Sequence, residues 1–198
     1  MISFHTAASK KADSEEEAGR YTAASDLYVA SAAERIATNF PEATTDPSTR
    51  NLAVADLLHA AFCARCAEDS ARANGIGTVR LGLIGFLRIA ADAETRERVW
   101  SNILDELAGD CCLVTEVSDP VPDYEQAASA YARLDESEAI SEGLEPEFVR
   151  AHWAVEDYLA WRGIDLADHA DTNGNLCTNF EARIRAKQRL IDDCSPTE

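Results

Sequence analysis

His59, Cys63 and Cys66 carry metal-binding side chains and recur about once per helical turn in the first half of the chain. In a helix these positions share one face, and imidazole and thiolate groups are the ligands of tetrahedral zinc sites. A zinc-binding Cys-x-x-Cys pair usually lies on a turn, however, and no second such pair follows in the sequence. Because cysteine is also a common small core residue, the sequence favours packing for this set. A zinc-stabilised regulatory module is the alternative.

A second candidate set consists of carboxylates on neighbouring helical turns, Glu94 with Glu97 and Glu106 with Asp110. This arrangement resembles the paired acids of the MazG family of all-α nucleotide pyrophosphohydrolases. The resemblance implies a magnesium ion held by helical carboxylates and the hydrolysis of a nucleotide. In a chain with 36 Asp and Glu residues, the same spacings also arise on a solvated helix face, which is the interpretation the sequence favours for these four residues.

Other catalytic patterns are lacking in the sequence. No serine or cysteine has a recognisable histidine and acid partner, and no glycine-rich phosphate loop follows a strand-like segment. The sequence therefore favours a protein without catalytic residues, metal or cofactor over an enzyme.

The charge composition points to the solvent in which the protein works. The formal net charge is -18, and only Lys10, Lys11 and Lys187 are lysines, so that 15 of the 18 basic residues are arginines. At molar salt the Debye length falls to about 3 Å, which screens repulsion among dispersed acids. In dilute buffer the same charge would strain the folded state. This composition is typical of a halophilic protein.

Charge and hydropathy also exclude several partners. An acidic surface without a basic stripe repels nucleic acid phosphates. The longest apolar segment, residues 79–91, is too short to span a bilayer and contains two arginines. The first residues lack the apolar run of a signal peptide. We therefore expect a cytoplasmic protein with reduced cysteines, and neither nucleic acid nor a membrane as partner.

The elements that must position these side chains are helices, because strand-like alternation is scarce along the chain. The pattern predicts eight helices in antiparallel hairpins, at about 3–18, 20–39, 47–74, 79–91, 94–108, 123–140, 146–162 and 179–192. Asn74-Gly75 and Gly109 are the predicted ends of the third and fifth helices, and Thr78 the predicted N-cap of the fourth. The segment 111–117 fits either a strand or a continuing helix. We expect a single helical domain over 1–198, with an N-terminal hairpin at 1–40, a linker at 41–46 and a helical body at 47–194.

One sequence pattern occurs twice in these helices. Both copies read Tyr-x-x-Ala-x-x-x-Tyr, and they consist of Tyr21, Ala24 and Tyr28 and of Tyr124, Ala127 and Tyr131. In a helix the three positions of each copy lie on one face, where the small alanine admits a close neighbour and the tyrosines fill the flanking spaces. We expect both sets to form packing seams.

The first copy, preceded by Gly19-Arg20, resembles the second helix of a tetratricopeptide unit, and so does the second copy. The two lie 103 residues apart, close to three repeat lengths of about 34 residues. The resemblance implies stacked helix pairs that form a concave surface for a protein or peptide. A tetratricopeptide-like array and an irregular helical bundle are the two architectures left open. A plain amphipathic helix with core tyrosines accounts equally well for each copy.

The predicted helix at 146–162 carries more apolar surface than one contact needs. One stripe suffices to dock a helix on a core, and Val149, Trp153 and Ala160 form a second stripe that Trp161 flanks. Tryptophan is enriched at binding hot spots. We therefore expect a non-enzymatic adaptor whose partner, a protein or peptide, binds at these four residues, and self-association remains open.

Overall fold

The computed structural model describes residues 6–39, 47–90, 95–132, 154–165 and 183–189. These ranges contain eight helices and no strand. Six of the helices are α1 (Ala7–Glu17), α2 (Tyr21–Asn39), α3 (Pro47–Cys66), α4 (Ser70–Ala90), α5 (Thr95–Thr115) and α6 (Val121–Tyr131). Residues 154–161 form α7, and residues 183–189 form α8. The prediction of an all-α fold is confirmed.

Three of these helices end in the same left-handed turn, which satisfies carbonyls that a helix end leaves free. The residues in the left-handed conformation are Gly19 after α1, Glu68 after α3 and Gly163 after α7, with φ of 70°, 61° and 78°. At each end, that residue donates its N–H three residues back and the next residue donates five residues back. Glycine adopts this conformation without steric cost, whereas Glu68 does not.

The predicted boundary between the third and fourth helices is wrong. The third helix ends at Cys66, and Asp69 caps α4 by accepting the N–H of Arg72 at 3.0 Å. Gly75 and Thr78 lie inside α4, where the Thr78 hydroxyl donates to the carbonyl of Asn74. A glycine inside a helix costs about 1 kcal/mol, which the packing of a helix against its neighbours readily offsets.

The predicted end of the fifth helix at Gly109 is also wrong. Helix α5 continues through Cys111 to Thr115, so the β-branched segment extends the helix and does not form a strand. Gly109 is needed for close packing: a Cβ built there would lie 2.5 Å from Cε1 of Tyr124 on α6.

Consecutive helices pack against one another from α1 to α6, and α3 also contacts α5. The end of the described chain then returns to its beginning. Tyr158 of α7 belongs to the same apolar cluster as Ala12 of α1, Tyr28 of α2 and Phe62 of α3, and its ring meets that of Phe62 edge to face at 6.4 Å. These contacts tie α7 to the N-terminal helices.

Buried polar contacts fix the register of several helices. Asp56 of α3 accepts hydrogen bonds from Ser31 at 2.6 Å and Arg35 at 2.8 Å, both on α2. Arg80 of α4 is fully buried and donates to the carbonyls of Val54 and Leu107, which links α4 to α3 and α5. None of the described helices combines the length and hydropathy needed to cross a bilayer.

Candidate functional site

Helices α5 and α8 are joined by a buried network of charges. Glu106 and Asp110 lie one turn apart on α5, and Arg183 and Lys187 lie one turn apart on α8. Arg183 donates to both carboxylate oxygens of Glu106 at 2.5 Å. Lys187 Nζ lies 2.7 Å from Oε1 of Glu106 and 2.6 Å from Oδ1 of Asp110. All four side chains are buried.

The second tyrosine pattern completes this network. The Tyr124 hydroxyl donates to Oδ1 of Asp110 at 2.8 Å, and the Tyr131 hydroxyl donates to Oε2 of Glu106 at 3.0 Å. Ala127 lies between the tyrosines on α6 and is fully buried. Burial and the adjacent carboxylates raise the pKa of both tyrosines well above its ordinary value, so the hydroxyls stay protonated and act as donors.

The surroundings of Glu106 stabilise its ionised form. Burial alone would raise the pKa of Glu106, but the charges and hydrogen bonds of Arg183 and Lys187 outweigh it and hold that pKa far below its usual range. The same pairing raises the pKa of Arg183, against the opposite effect of burial. Glu106 and Arg183 therefore remain charged at neutral pH, and the network connects α5, α6 and α8.

The expectation of a solvated face is wrong for Glu106 and Asp110. Both carboxylates lie in the interior and are neutralised by cations from another helix, because their side of α5 faces α6 and α8. Glu94 and the side chain of Glu97 fall outside the described residues. A divalent ion at Glu106 would have to displace Arg183 and Lys187.

A second polar centre lies between α1, α2 and α3, around the first tyrosine pattern. The Tyr28 hydroxyl donates to Oδ1 of Asp13 at 2.8 Å and to Oε2 of Glu16 at 2.6 Å. The His59 ring is tilted by 31° over the Tyr28 ring with 5.0 Å between centroids, and its Nδ1 lies 3.8 Å from Glu16. Each tyrosine pattern thus places a buried hydroxyl on carboxylates of a neighbouring helix.

The other two residues of the first pattern differ in burial. Ala24 is fully buried in the apolar cluster that contains Tyr28. Tyr21 is half-buried, and its ring meets the ring of Phe62 edge to face at 6.5 Å. Tyr21 also lines a shallow cleft of about 470 Å³ at the end of α3, together with Arg20, Cys66 and Glu68.

The thiols next to His59 have little nucleophilic character. Cys63 is fully buried and Cys66 is half-buried. Burial, reinforced by the negative charge of Glu16, raises the pKa of Cys66 to about 12 and that of Cys63 further. A reactive cysteine needs a lowered pKa, and zinc likewise binds the thiolate form. Within the described ranges, no group of three or more His, Cys, Asp or Glu side chains is arranged to hold a metal ion.

The predicted binding helix lies partly within α7. Val149 and Trp153 fall outside the described residues, whereas Ala160 is exposed and Trp161 is 50% exposed. The Trp161 ring lies 6.1 Å from the ring of buried Tyr158, at an angle of 31°. It is therefore a large aromatic side chain held at the surface by a core residue.

A bridge of charges fixes the surface beside Trp161. Arg162 donates to the Tyr158 hydroxyl at 3.1 Å and lies 3.7 Å from Oε1 of Glu116, at the end of α5. Arg65 of α3 approaches the other oxygen of Glu116 at 3.5 Å. Three helices, α3, α5 and α7, thus support the place where the indole is exposed.

Comparison with known proteins adds no relationship to these observations, since no protein family, curated protein or solved structure matches the chain.

The sequence did not single out the cations of the buried network. Arg183 and Lys187 are spaced by four residues in a predicted helix, and Lys187 is one of only three lysines. The rarity of lysine could have drawn attention to Lys187. On an acidic surface whose basic residues are mostly arginines, a single lysine contributes little to solubility.

Proposed function

We propose that this protein is a non-enzymatic interaction module that binds a protein or peptide at the exposed indole of Trp161. The supporting observation is the position of Trp161, half exposed yet packed on buried Tyr158. An aromatic side chain that is already ordered loses little conformational entropy when it is covered. Tryptophans in such positions account for much of the binding energy of many interfaces.

The chemistry of the buried centres supports binding over catalysis. Glu106 and Asp110 are held by Arg183 and Lys187, which argues against the alternative of a MazG-like metal-dependent nucleotide pyrophosphohydrolase. The lack of a group of three or more metal-binding side chains within the described ranges argues against the alternative of a zinc-stabilised regulatory module. What the described surface offers instead is an apolar anchor.

The cellular setting belongs to the same proposal. The charge of -18 and the preference for arginine over lysine suit the cytoplasm of a halophilic cell, where molar salt weakens charge steering and leaves apolar contacts to decide affinity. The resemblance of both tyrosine patterns to tetratricopeptide helices agrees with a role in binding a protein segment. The partner we expect presents an apolar pocket or ridge that covers the indole.

The experiment is quantitative capture from native extract kept in molar KCl, with wild type and Trp161→Ala as baits. Phe86→Ala is the matched control, because Phe86 is an aromatic residue of similar exposure on α4. We expect one partner to be retained by wild type and Phe86→Ala and lost from Trp161→Ala, with unchanged circular dichroism. No protein enriched by wild type over Trp161→Ala would refute the proposal. Magnesium-dependent release of pyrophosphate from a nucleotide panel would favour the hydrolase.

A further inference from the structure

Helix α4 differs in charge from the rest of this acidic chain. The chain contains 36 Asp and Glu residues, yet Ser70–Ala90 contains none. Among the α4 side chains that the structure describes, every exposed one is uncharged: Ser70, Ala71, Asn74, Gly75, Thr78, Val79, Gly82 and Phe86. The outer face of α4 is thus a neutral strip on a strongly negative molecule.

The three arginines of α4 all contact other parts of the chain, and Arg72 is the one whose helix-wheel position borders the strip. Arg80 is buried, Arg72 pairs with Asp26 of α2, and Arg88 pairs with Asp105 of α5. Each of the three therefore forms contacts with the rest of the chain. The exposed side chains of α4 itself therefore carry neither positive nor negative charge, and the charge nearest to them is Arg65 of α3, which donates to Ser70 and Asn74 at 3.0 Å.

Four residues of this face form a narrow stripe, which we call the α4 stripe: Gly75, Val79, Gly82 and Phe86. Their spacing of four, three and four residues places them within about 60° on the helix wheel, as in helices that pack against another helix. Val79 is 62% exposed and Phe86 is 48% exposed. Glycine and a larger apolar residue alternate along the stripe.

The two glycines of the α4 stripe are not required by the packing of the described helices. A Cβ at Gly75 or Gly82 would meet no atom of the described residues within 4 Å, whereas a Cβ at Gly77 would collide with Thr115. Each glycine costs about 1 kcal/mol of helix stability relative to alanine. At Gly75 and Gly82 the missing side chain leaves a hollow on the surface beside an exposed apolar side chain.

We propose that the α4 stripe packs antiparallel against the α4 stripe of a second copy of this chain. A two-fold axis passing between Arg80 and Leu81 brings Val79 over Gly82 of the second copy and Phe86 over Gly75 of the second copy. Each larger side chain of one copy then fills a hollow at a glycine of the other copy. The two-fold symmetry of an isologous interface repeats each of these contacts in the opposite direction. A parallel pairing would instead place like residues opposite each other.

Charge supports a second copy at this face in particular. Two chains that each carry -18 repel wherever acids meet, and the neutral strip allows close approach without burying a carboxylate. Stable interfaces bury about 800 Å² per partner, more than one helical stripe supplies. The dimer is therefore weak, with a dissociation constant of roughly micromolar to millimolar, and molar salt favours it by screening the remaining repulsion.

The test measures the dissociation constant by sedimentation velocity over a wide range of protein concentration in molar KCl. Gly82→Val makes Val79 face a valine and should raise the dissociation constant at least tenfold through overpacking. The double variant Val79→Gly with Gly82→Val exchanges the two residues, so that a valine again faces a glycine of the second copy. It should return the dissociation constant to within about threefold of wild type.

Gly85→Val is the matched control, because a Cβ at Gly85 also meets no atom within 4 Å in the part of the chain that the structure describes, and the residue lies about a quarter turn from the stripe. It should leave the dissociation constant unchanged, as should Trp161→Ala, which separates this test from that of the proposed function. The proposal fails if wild type stays monomeric up to millimolar concentration, if the exchange does not restore dimerisation, or if Gly85→Val weakens it as much as Gly82→Val. Circular dichroism confirms that each variant is folded.

Discussion

The ring of Tyr124 lies directly against the backbone of Gly109, where a Cβ would come within 2.5 Å of ring carbon Cε1. The hydroxyl of the same tyrosine donates to Asp110, the next residue of α5. Glycine at position 109 therefore sets the distance between α5 and α6 and lets the Tyr124 hydroxyl reach the buried carboxylate. Alanine at this position would force the two helices apart or displace the ring.

We expect Gly109→Ala to lower the free energy of unfolding by about 1–3 kcal/mol, the usual cost of overpacking, although alanine is the better helix former. Gly85→Ala is the control, because its Cβ would meet no atom of the described helices within 4 Å and the change should stabilise α4 by up to about 1 kcal/mol. Urea unfolding in molar KCl measures both. Equal stabilisation by the two substitutions would contradict the close contact of α5 and α6.

The fold class follows from the sequence, but several helix ends do not. Gly19 marks the end of α1 because glycine adopts a positive φ freely, whereas Glu68 adopts the same conformation with a side chain that favours no turn. Gly75 and Gly109 mislead in the opposite way, since both lie inside helices. A glycine in a sequence is compatible either with a turn or with a close contact between helices. Only the position of the neighbouring helix decides between these two roles.

The candidate site was only partly predictable for a related reason. The spacing of Glu106 and Asp110 places them on one face of α5 but does not say what that face meets. The cations that neutralise them, Arg183 and Lys187, are 77 and 81 residues away from Glu106 in sequence. With half as many basic as acidic residues in the chain, no local pattern identifies the acids that receive a buried cation.

Glu106→Gln should destabilise the protein at neutral pH by about 3–5 kcal/mol, because Arg183 and Lys187 would lose their main counter-charge in the interior. The pKa of Glu106 is lowered in the folded state, so its contribution is present above about pH 4.3, where the carboxyl of the unfolded chain is ionised. That contribution is lost as the pH falls toward the lower folded-state pKa.

The measurement is urea unfolding of wild type and Glu106→Gln from about pH 7 to about pH 3 in molar KCl. The difference in free energy of unfolding between the two proteins should become smaller as the pH falls through this range. A gap that stays constant would show that the folded-state pKa is not lowered. The double variant Glu106→Gln with Arg183→Met removes the cation that donates to both oxygens of Glu106 and leaves Lys187 paired with Asp110, so it should recover part of the loss if the single variant is poorly folded.

Native Cys66 should react slowly with alkylating reagents. Burial and the charge of Glu16 raise its pKa to about 12, so that at pH 8 the thiolate fraction is roughly a thousandfold below that of an exposed cysteine. Iodoacetamide labelling followed by peptide mass spectrometry should give a rate at least about a hundredfold lower in the native than in the urea-unfolded protein. Comparable native and unfolded rates would mean that the thiol is exposed and ionised.

Tyr28 should contribute far more stability than Tyr21, although both belong to the same sequence pattern. Tyr28 is almost fully buried and its hydroxyl donates to Asp13 and Glu16, whereas Tyr21 is half-buried beside an open cleft. We expect Tyr28→Ala to cost about 3–5 kcal/mol, as for other buried aromatics, and Tyr21→Ala less than half of that. Thermal melts of the two variants in the same buffer compare them directly. A Tyr28→Ala protein that melts like wild type would refute the packing seam.

The melting temperature should rise with KCl from dilute to molar concentrations. The reason is the net charge of -18 on 198 residues. Repulsion among the acidic side chains acts across the molecule in dilute buffer, whereas at molar salt it is screened beyond about 3 Å. A double variant, Glu17→Gln with Glu125→Gln, is the control, because both residues are exposed acids. It should melt higher than wild type in dilute buffer and equally in molar KCl. A wild-type melting temperature that stays flat or falls with added KCl would contradict the halophilic interpretation of the composition.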